Sequence, residues 1–308
     1  MINKYILTPA GAKKHQGVLT NAELVTLVKP SDHEIKQVCQ SFDLSPFTFQ
    51  YRSSPEEVSR FHRTTSDVLT NPAILVIYDF IPAFKKIENQ LSPSLIVFDN
   101  HHLIICSDSQ DTIQQVLAKF PTTLAGILID YLIACQHVLM TTLKSYKKEI
   151  DELDQKARVG FSNDSLRALT TLTRRLVFFE HTMNDQATTI TAFLEDKHCE
   201  YFPIEKRLEL EVQQRRLTKT IHIFRDLLAS ISDLFTAMMD NHLNNLMQFL
   251  DSAGLIIAIA ALVTGFMGMN VGGMPWKNDL YGFWLILGIA LIFALSAAIF
   301  LRRKKYTK

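Results

Sequence analysis

Two features of this sequence could do chemistry: a tripeptide and a seam. Gly268-Met269-Asn270 closes one uncharged stretch, and Val271-Gly272-Gly273-Met274-Pro275-Trp276-Lys277 leads on towards another. Upstream, steps of four and three residues from Asp233 pick out Asp233, Ala237, Asp240, Asn244, Met247, Asp251, Gly254, Ala258, Ala261, Gly265 and Gly268. That spacing is a heptad seam, which would ordinarily carry Leu or Ile. Here its first half is mostly polar or acidic and its second half is uniformly small. If identical helices surround an axis, Asp233, Asp240 and Asp251 each become a ring of carboxylates that repel one another unless water and cations fill it. The small residues leave room for a column of water or let helices approach closely. The neighbouring register, with Leu234, Met238, Leu243, Leu246 and Leu250, carries the apolar packing. Met247 and Leu250 read as an apolar constriction or equally as core packing. The seam itself reads as a cation path or as solvent-facing carboxylates followed by residues small only for packing.

The elements that must position these residues follow from hydropathy. Residues 252–267 carry no charge, and extension to Asn270 gives about 19 residues, near the ~20 that cross hydrocarbon. Residues 281–301 are also uncharged and stop at Arg302-Arg303-Lys304-Lys305, a cluster expected on the cytoplasmic side. Both termini are then cytoplasmic, and residues 271–280 form an external loop of a multi-pass plasma-membrane protein. Trp276, Tyr281 and Trp284 fall at the outer interface, where amphipathic rings are favoured.

The remainder reads as cytoplasmic. The chain has 308 residues and suggests two parts. Its 47% hydrophobic and 20% charged content averages a charge-rich portion, 1–251, with a nearly uncharged 252–301. The N-terminus shows no signal peptide. A formal net charge of +1 argues against nucleic acid. No Walker A, HExxH, Rossmann or nucleophile-elbow pattern occurs, so no nucleotide partner, cofactor or enzymatic activity is expected. Cys39, Cys106, Cys135 and Cys199 are scattered and read as buried, reduced thiols. His101-His102 with Cys106, and Glu195-Asp196-Lys197-His198-Cys199-Glu200, are donor-rich but read as turn and loop polarity.

The expected fold class is α+β, with a cytoplasmic α/β domain followed by long helices and two C-terminal transmembrane helices. The expected divisions are 1–120 for the α/β domain and 121–202 for folded-back helices. A stalk helix continuous with the first span covers 203–270, then come the loop 271–280, the second span 281–301 and a basic tail 302–308. Ile74-Leu75-Val76-Ile77-Tyr78 is a strand, and Leu95-Ile96-Val97-Phe98 pairs with Leu103-Ile104-Ile105-Cys106 across an Asp99-Asn100 turn. Ser54-Pro55-Glu56-Glu57 reads as a helix start, and Ser162-Asn163-Asp164 as a cap. The apolar run from Leu124 to Ile129 reads as a buried helix rather than a third span. Residues 203–267 would make one helix about 100 Å long, which needs bundling to be stable.

With these features in place, Gly268-Met269-Asn270 between two spans and ahead of a basic C-terminus resembles the CorA family of divalent-cation transporters. The resemblance covers the whole chain and implies a homopentameric funnel with the first span lining the pore. It implies that Asn270, with Gly268 and Met269, is the filter. It also places Asn244 below the membrane, Asp233 on the upper stalk, and Met247 and Leu250 at a constriction. Asp240, Asp251, Gly254, Ala258, Ala261 and Gly265 complete the pore lining. Intracellular Mg²⁺ held between cytoplasmic domains would close such a channel; Glu205, Glu209 and Glu211 are candidates, and the residue-by-residue match falls on Glu209. Ile259 stands where many members have Pro, and Met267 where many have an aromatic. The loop Val271-Gly272-Gly273-Met274-Pro275 is similar to the zinc-transporting ZntB branch. The resemblance therefore implies transport of Mg²⁺ (also Co²⁺ or Ni²⁺), with proton-coupled Zn²⁺ transport as the alternative. A reading of another class is a membrane-anchored oligomeric scaffold or sensor, which has no need of polar residues along the seam.

Overall fold

The computed structural model describes residues 1–49, 57–82, 84, 90–160, 162–197, 199, 202–269 and 281–303. The expected helix start at Ser54-Pro55-Glu56 lies outside them. The chain divides into two units, Met1–Arg158 with Ser162–Ile231, and Val159–Phe161 with Ser232–Lys308.

The first unit is built on a seven-stranded sheet. Its strands are β1 (Ile2–Thr8), β2 (Gly11–Lys14), β3 (Leu24–Val28), β4 (Arg60–Arg63), β5 (Ala73–Phe80), β6 (Leu91–Phe98) and β7 (Leu103–Ser107). Their order is β2-β1-β3-β7-β6-β5-β4. β6 and β7 form the expected antiparallel pair, Phe98 facing Leu103. β3 and β7 run parallel, Leu24 opposite Leu103. Strands β5, β6 and β7 are buried throughout because both faces are covered, which is why they read as continuous apolar runs.

The period-two alternation of each strand sorts its side chains into two cores. Leu75, Ile77, Ile96 and Ile105 join one cluster, whereas Ile74, Val76, Val97 and Ile104 join the other. Helix α1 (Asp32–Phe42) covers the second face through Val38, Cys39 and Phe42. It opens on a capping box: the Glu34 N–H donates to Ser31 Oγ at 3.3 Å and the Ser31 N–H to Glu34 Oε2 at 2.8 Å. It ends where Asp43 turns left-handed, φ 46°. The first face is covered by α2 (Gln110–Leu117), α3 (Leu124–Val159) and α4 (Asn163–Leu194), the last capped by Ser162 as expected. Cys39, Cys106, Cys135 and Cys199 are all buried thiols.

A carboxylate also sits in this core. Asp79 is fully buried and accepts from the Phe80 N–H and from Thr112 Oγ1, both at 2.8 Å. Burial raises its pKa, against the opposing pull of those hydrogen bonds. A carboxyl whose native pKa lies above its unfolded value of about 3.9 costs stability as pH rises through that interval. Asp79→Asn is therefore expected to unfold at a higher temperature than the parent at pH 7. The gain should fall away through about pH 4 and vanish by about pH 3, where both states of the parent are protonated. Thermal unfolding at a series of pH values checks this; a pH-independent difference would contradict it.

Helix α5 (Ile204–Met267) runs for 64 residues without an interior proline and belongs to both units. Within the first unit it packs on α3 and α4. Lys206 Nζ meets Asp130 Oδ1 at 2.9 Å, and Arg225 Nη1 meets Glu180 Oε1 at 2.7 Å. Each helix presents a heptad-spaced buried stripe: Leu210, Gln214, Leu217, Ile221, Phe224 and Leu228 on α5; Phe179, Met183, Gln186, Ile190 and Phe193 on α4; Leu132, Gln136, Leu139 and Leu143 on α3. In the second unit are the remainder of α5 and α6 (Gly282–Arg303).

Candidate ion path

Three helices among the described residues are long and apolar enough to cross a membrane. Burial separates them. In α3, 56% of the most apolar window is buried, because Ile127, Leu128 and Leu132 pack on the sheet. In α5 and α6 the corresponding figure is 6%. An apolar window that the protein itself leaves uncovered must be covered by something else, and for an uncharged run of this length lipid or other copies serve.

The seam residues lie on α5 up to Gly265, and Gly268 immediately follows its end. Asp233, Ala237, Asp240, Asn244, Met247, Asp251, Gly254, Ala258, Ala261, Gly265 and Gly268 are all exposed, as is Leu250 of the neighbouring register. Met247 is 62% and Leu250 58% exposed, so neither belongs to a core of this chain. The glycines carry further information. A Cβ built at Gly254 or Gly265 meets nothing within 4 Å. Packing among the described residues therefore does not require glycine at either position. Seven residues rise about 10.5 Å, so Asp233 and Asp240 sit one such step apart, as do Asn244 and Asp251. A straight helix drifts about 20° per heptad, or roughly 100° from Asp233 to Gly268. A seam facing a single axis over that length requires the helices to supercoil.

The helix ends near the tripeptide. The Gly268 N–H donates to Thr264 O at 2.9 Å and the Met269 N–H to Phe266 O at 3.4 Å. Met269 is exposed, whereas Asn270 and the loop to Leu280 lie outside the described residues.

Elsewhere the donor-rich motifs are dispersed. Glu209 is half-buried with Lys206 Nζ 3.9 Å away, and Glu211 pairs with Arg215 at 3.3 Å. The hydrogen bond that Lys206 donates to Asp130 holds the Lys206 pKa above its ordinary value, so an ammonium stands beside Glu209. The N–H groups of His101 and His102 donate to Asp99 Oδ1, and His102 Nε2 lies 3.2 Å from Thr20 O. Cys106 is buried within β7. No group of three or more His, Cys, Asp or Glu side chains suited to a metal occurs among the described residues. His198 and Glu200 fall outside them. The sequence reading misses the buried residues Gln136, Gln186 and Gln214. A signal for them exists, since each is a polar residue interrupting an apolar heptad stripe.

An α/β sheet joined to two helices whose uncovered apolar windows are long enough to cross a membrane is the architecture of a membrane-associated protein with a folded α/β domain. The sequence matches the family described as CorA-like Mg²⁺ transporter protein over residues 25–303, and the chain belongs to that family of divalent-cation transporters, not to the enzymes. The Cobalt/magnesium transport protein CorA of Methanocaldococcus jannaschii is 22% identical over 289 residues, covering 89% of this chain and 88% of that protein. The solved CorA magnesium transporter of the same organism superposes with TM-score 0.80 at 17% identity, covering 99% of this chain and 98% of that one. The Zinc transport protein ZntB of Yersinia pseudotuberculosis is 27% identical over only 78 residues, 25% of this chain and 24% of that protein. The ZntB cytoplasmic domain from Vibrio parahaemolyticus shares the fold at TM-score 0.63 and 14% identity, over 78% of this chain and 98% of that one.

Proposed function

We propose that this chain assembles as a homopentamer in the plasma membrane, with both termini cytoplasmic, and conducts hydrated Mg²⁺, with Co²⁺ and Ni²⁺ as further cargo. The path follows the seam of α5 from Asp233 through Asn244 and the small residues to Gly268, and Asn270 with Gly268 and Met269 forms the filter. The observation carrying this reading is the exposed seam, polar and then small, that runs up to the tripeptide. Mg²⁺ demands octahedral oxygen ligation and sheds water reluctantly, so a ring of neutral amide oxygens can hold it through its waters and still release it. Asp233 draws cations into the lower path, and Glu209 is a regulatory ligand. The membrane potential supplies about 4.6 kcal/mol per 100 mV for a divalent ion, so inward flux needs no nucleotide.

A second reading, Zn²⁺ transport coupled to protons, is favoured by the local similarity to ZntB and by the loop 271–275. Zn²⁺ prefers His and Cys, and the seam contains neither. Flux into liposomes containing the purified chain separates the two. Mg²⁺ uptake that follows an imposed potential and ignores a pH gradient is the expected result. Zn²⁺ uptake that rises with the pH gradient while Mg²⁺ stays at background would replace the first reading by the second.

A further inference from the structure

The apolar stripes on α3, α4 and α5 share a seven-residue repeat, so apolar packing alone distinguishes poorly between the observed alignment of α5 and one displaced by a heptad. Leu210, Leu217, Phe224 and Ile231 would exchange for one another, as would Ile221 and Leu228. Gln214 breaks that equivalence. It is 4% exposed, and its Oε1 accepts from Gln136 Nε2 of α3 at 3.2 Å and from Gln186 Nε2 of α4 at 3.1 Å. Its own Nε2 donates to Met183 O at 3.0 Å. Gln186 Oε1 in turn accepts the Tyr78 N–H of β5 at 2.8 Å. Three amides from three helices thus meet in one buried layer tied to the sheet.

The layer does not optimise stability. Gln136 Oε1 is buried without a hydrogen-bond partner among the described residues, and a partly satisfied buried network is worse than an apolar one. A polar residue at one heptad position is, however, an effective way to specify register, since displacement strands its partners. We infer that Gln136, Gln186 and Gln214 are positioning residues that fix the register of α5 against α3 and α4. A slip of one heptad would move α5 by about 10.5 Å along its neighbours. Displacement one way would bring Ile221 into the amide layer, and displacement the other way would bring Arg207 there. Either movement parts Gln214 from Gln136 and Gln186. The first keeps the stripe apolar, so it is the slip that the amides chiefly oppose.

Cysteine pairs introduced into the full chain read the register. Glu180 Oε1 lies 3.2 Å from His222 Nδ1, so Glu180→Cys with His222→Cys, bridged by a short bifunctional thiol reagent that spans the side-chain length removed, reports the native alignment. Glu180→Cys with Ala229→Cys reports the slip that places Ile221 in the layer, and Glu180→Cys with Arg215→Cys reports the opposite one. In the parent background, that reagent is expected to join only the 180–222 pair. Gln214→Leu alone should lower the melting temperature by about 5 °C, because two buried amide N–H groups lose their acceptor. The triple change Gln136→Leu, Gln186→Leu and Gln214→Leu removes the three mutual partners together and leaves the Tyr78 N–H without its side-chain acceptor, so it should melt above Gln214→Leu alone. It should also form a slipped pair, chiefly 180–229, with the native pair falling at least about threefold. A triple variant that joins only 180–222 would overturn the inference, and so would one that melts below Gln214→Leu, since the amides would then be serving stability rather than register.

Discussion

Asn270→Ala is expected to reduce divalent-cation uptake to background while leaving the assembled protein intact. The proposed filter acts through neutral side-chain oxygens presented around an axis, and alanine removes every one of them. With no oxygen in place to hold the hydrated ion, the remaining small residues offer no selective contact. Asn270 falls outside the first unit, so its truncation should leave the folding of that unit unchanged. Uptake of Mg²⁺ by liposomes, with the oligomer monitored by size-exclusion chromatography, measures both parts. Normal uptake by an intact assembly would remove Asn270 from the filter. Asn270→Asp is a useful companion, because a ring of charges would bind the ion more tightly and slow its release.

Phe193→Ala should produce the largest loss of stability in the first unit. Phe193 is fully buried, and its ring lies within 6.0 Å, centroid to centroid, of those of Phe61, Phe98 and Phe202. Phe61 and Phe98 meet it edge-on at 76° and 86°, the arrangement favoured by ring quadrupoles. This one side chain therefore joins α4 to β4, to β6 and to the segment leading into α5. Truncating a buried Phe costs about 3–5 kcal/mol, since the cavity closes only partly. For a unit of this size that corresponds to roughly 10 °C in melting temperature. Differential scanning calorimetry of the full chain measures it; a fall of under about 2 °C would show that the neighbouring rings collapse into the space.

The sequence discloses those parts of the fold whose signal is local. β5, β6 and β7 are continuous apolar runs because both faces of the sheet are covered there, and the turn at Asp99-Asn100 marks the hairpin. The long helices are legible from their periodicity and from Ser162. β1 is not, because Ile2–Thr8 is only half-buried along its length and lacks a clean alternation. β3 escapes for a different reason: its parallel partner lies about 80 residues away, and nothing in a five-residue segment announces it. The seam can be read as a pattern, and exposure in α5 places it outside the core of this chain together with Leu243, Leu246 and Leu250 of the neighbouring register. The donor-rich segment at His101-His102 shows the converse, since its N–H groups serve a turn closed by Asp99.

The pairing of β3 with β7 also governs how the chain is made. At about 5–20 residues per second, the ribosome takes roughly 4–16 s to travel from one strand to its partner. Throughout that interval the hydrogen-bonding edge of β3 is without its eventual neighbour. The sheet of the first unit thus closes late relative to the synthesis of its own N-terminal strands, and the closure spans a long loop, a combination that slows folding and prolongs exposure of an open edge. A nascent chain stalled before Leu103 would carry that edge in a state suited to capture by chaperones, well before either apolar helix of the second unit has been synthesised.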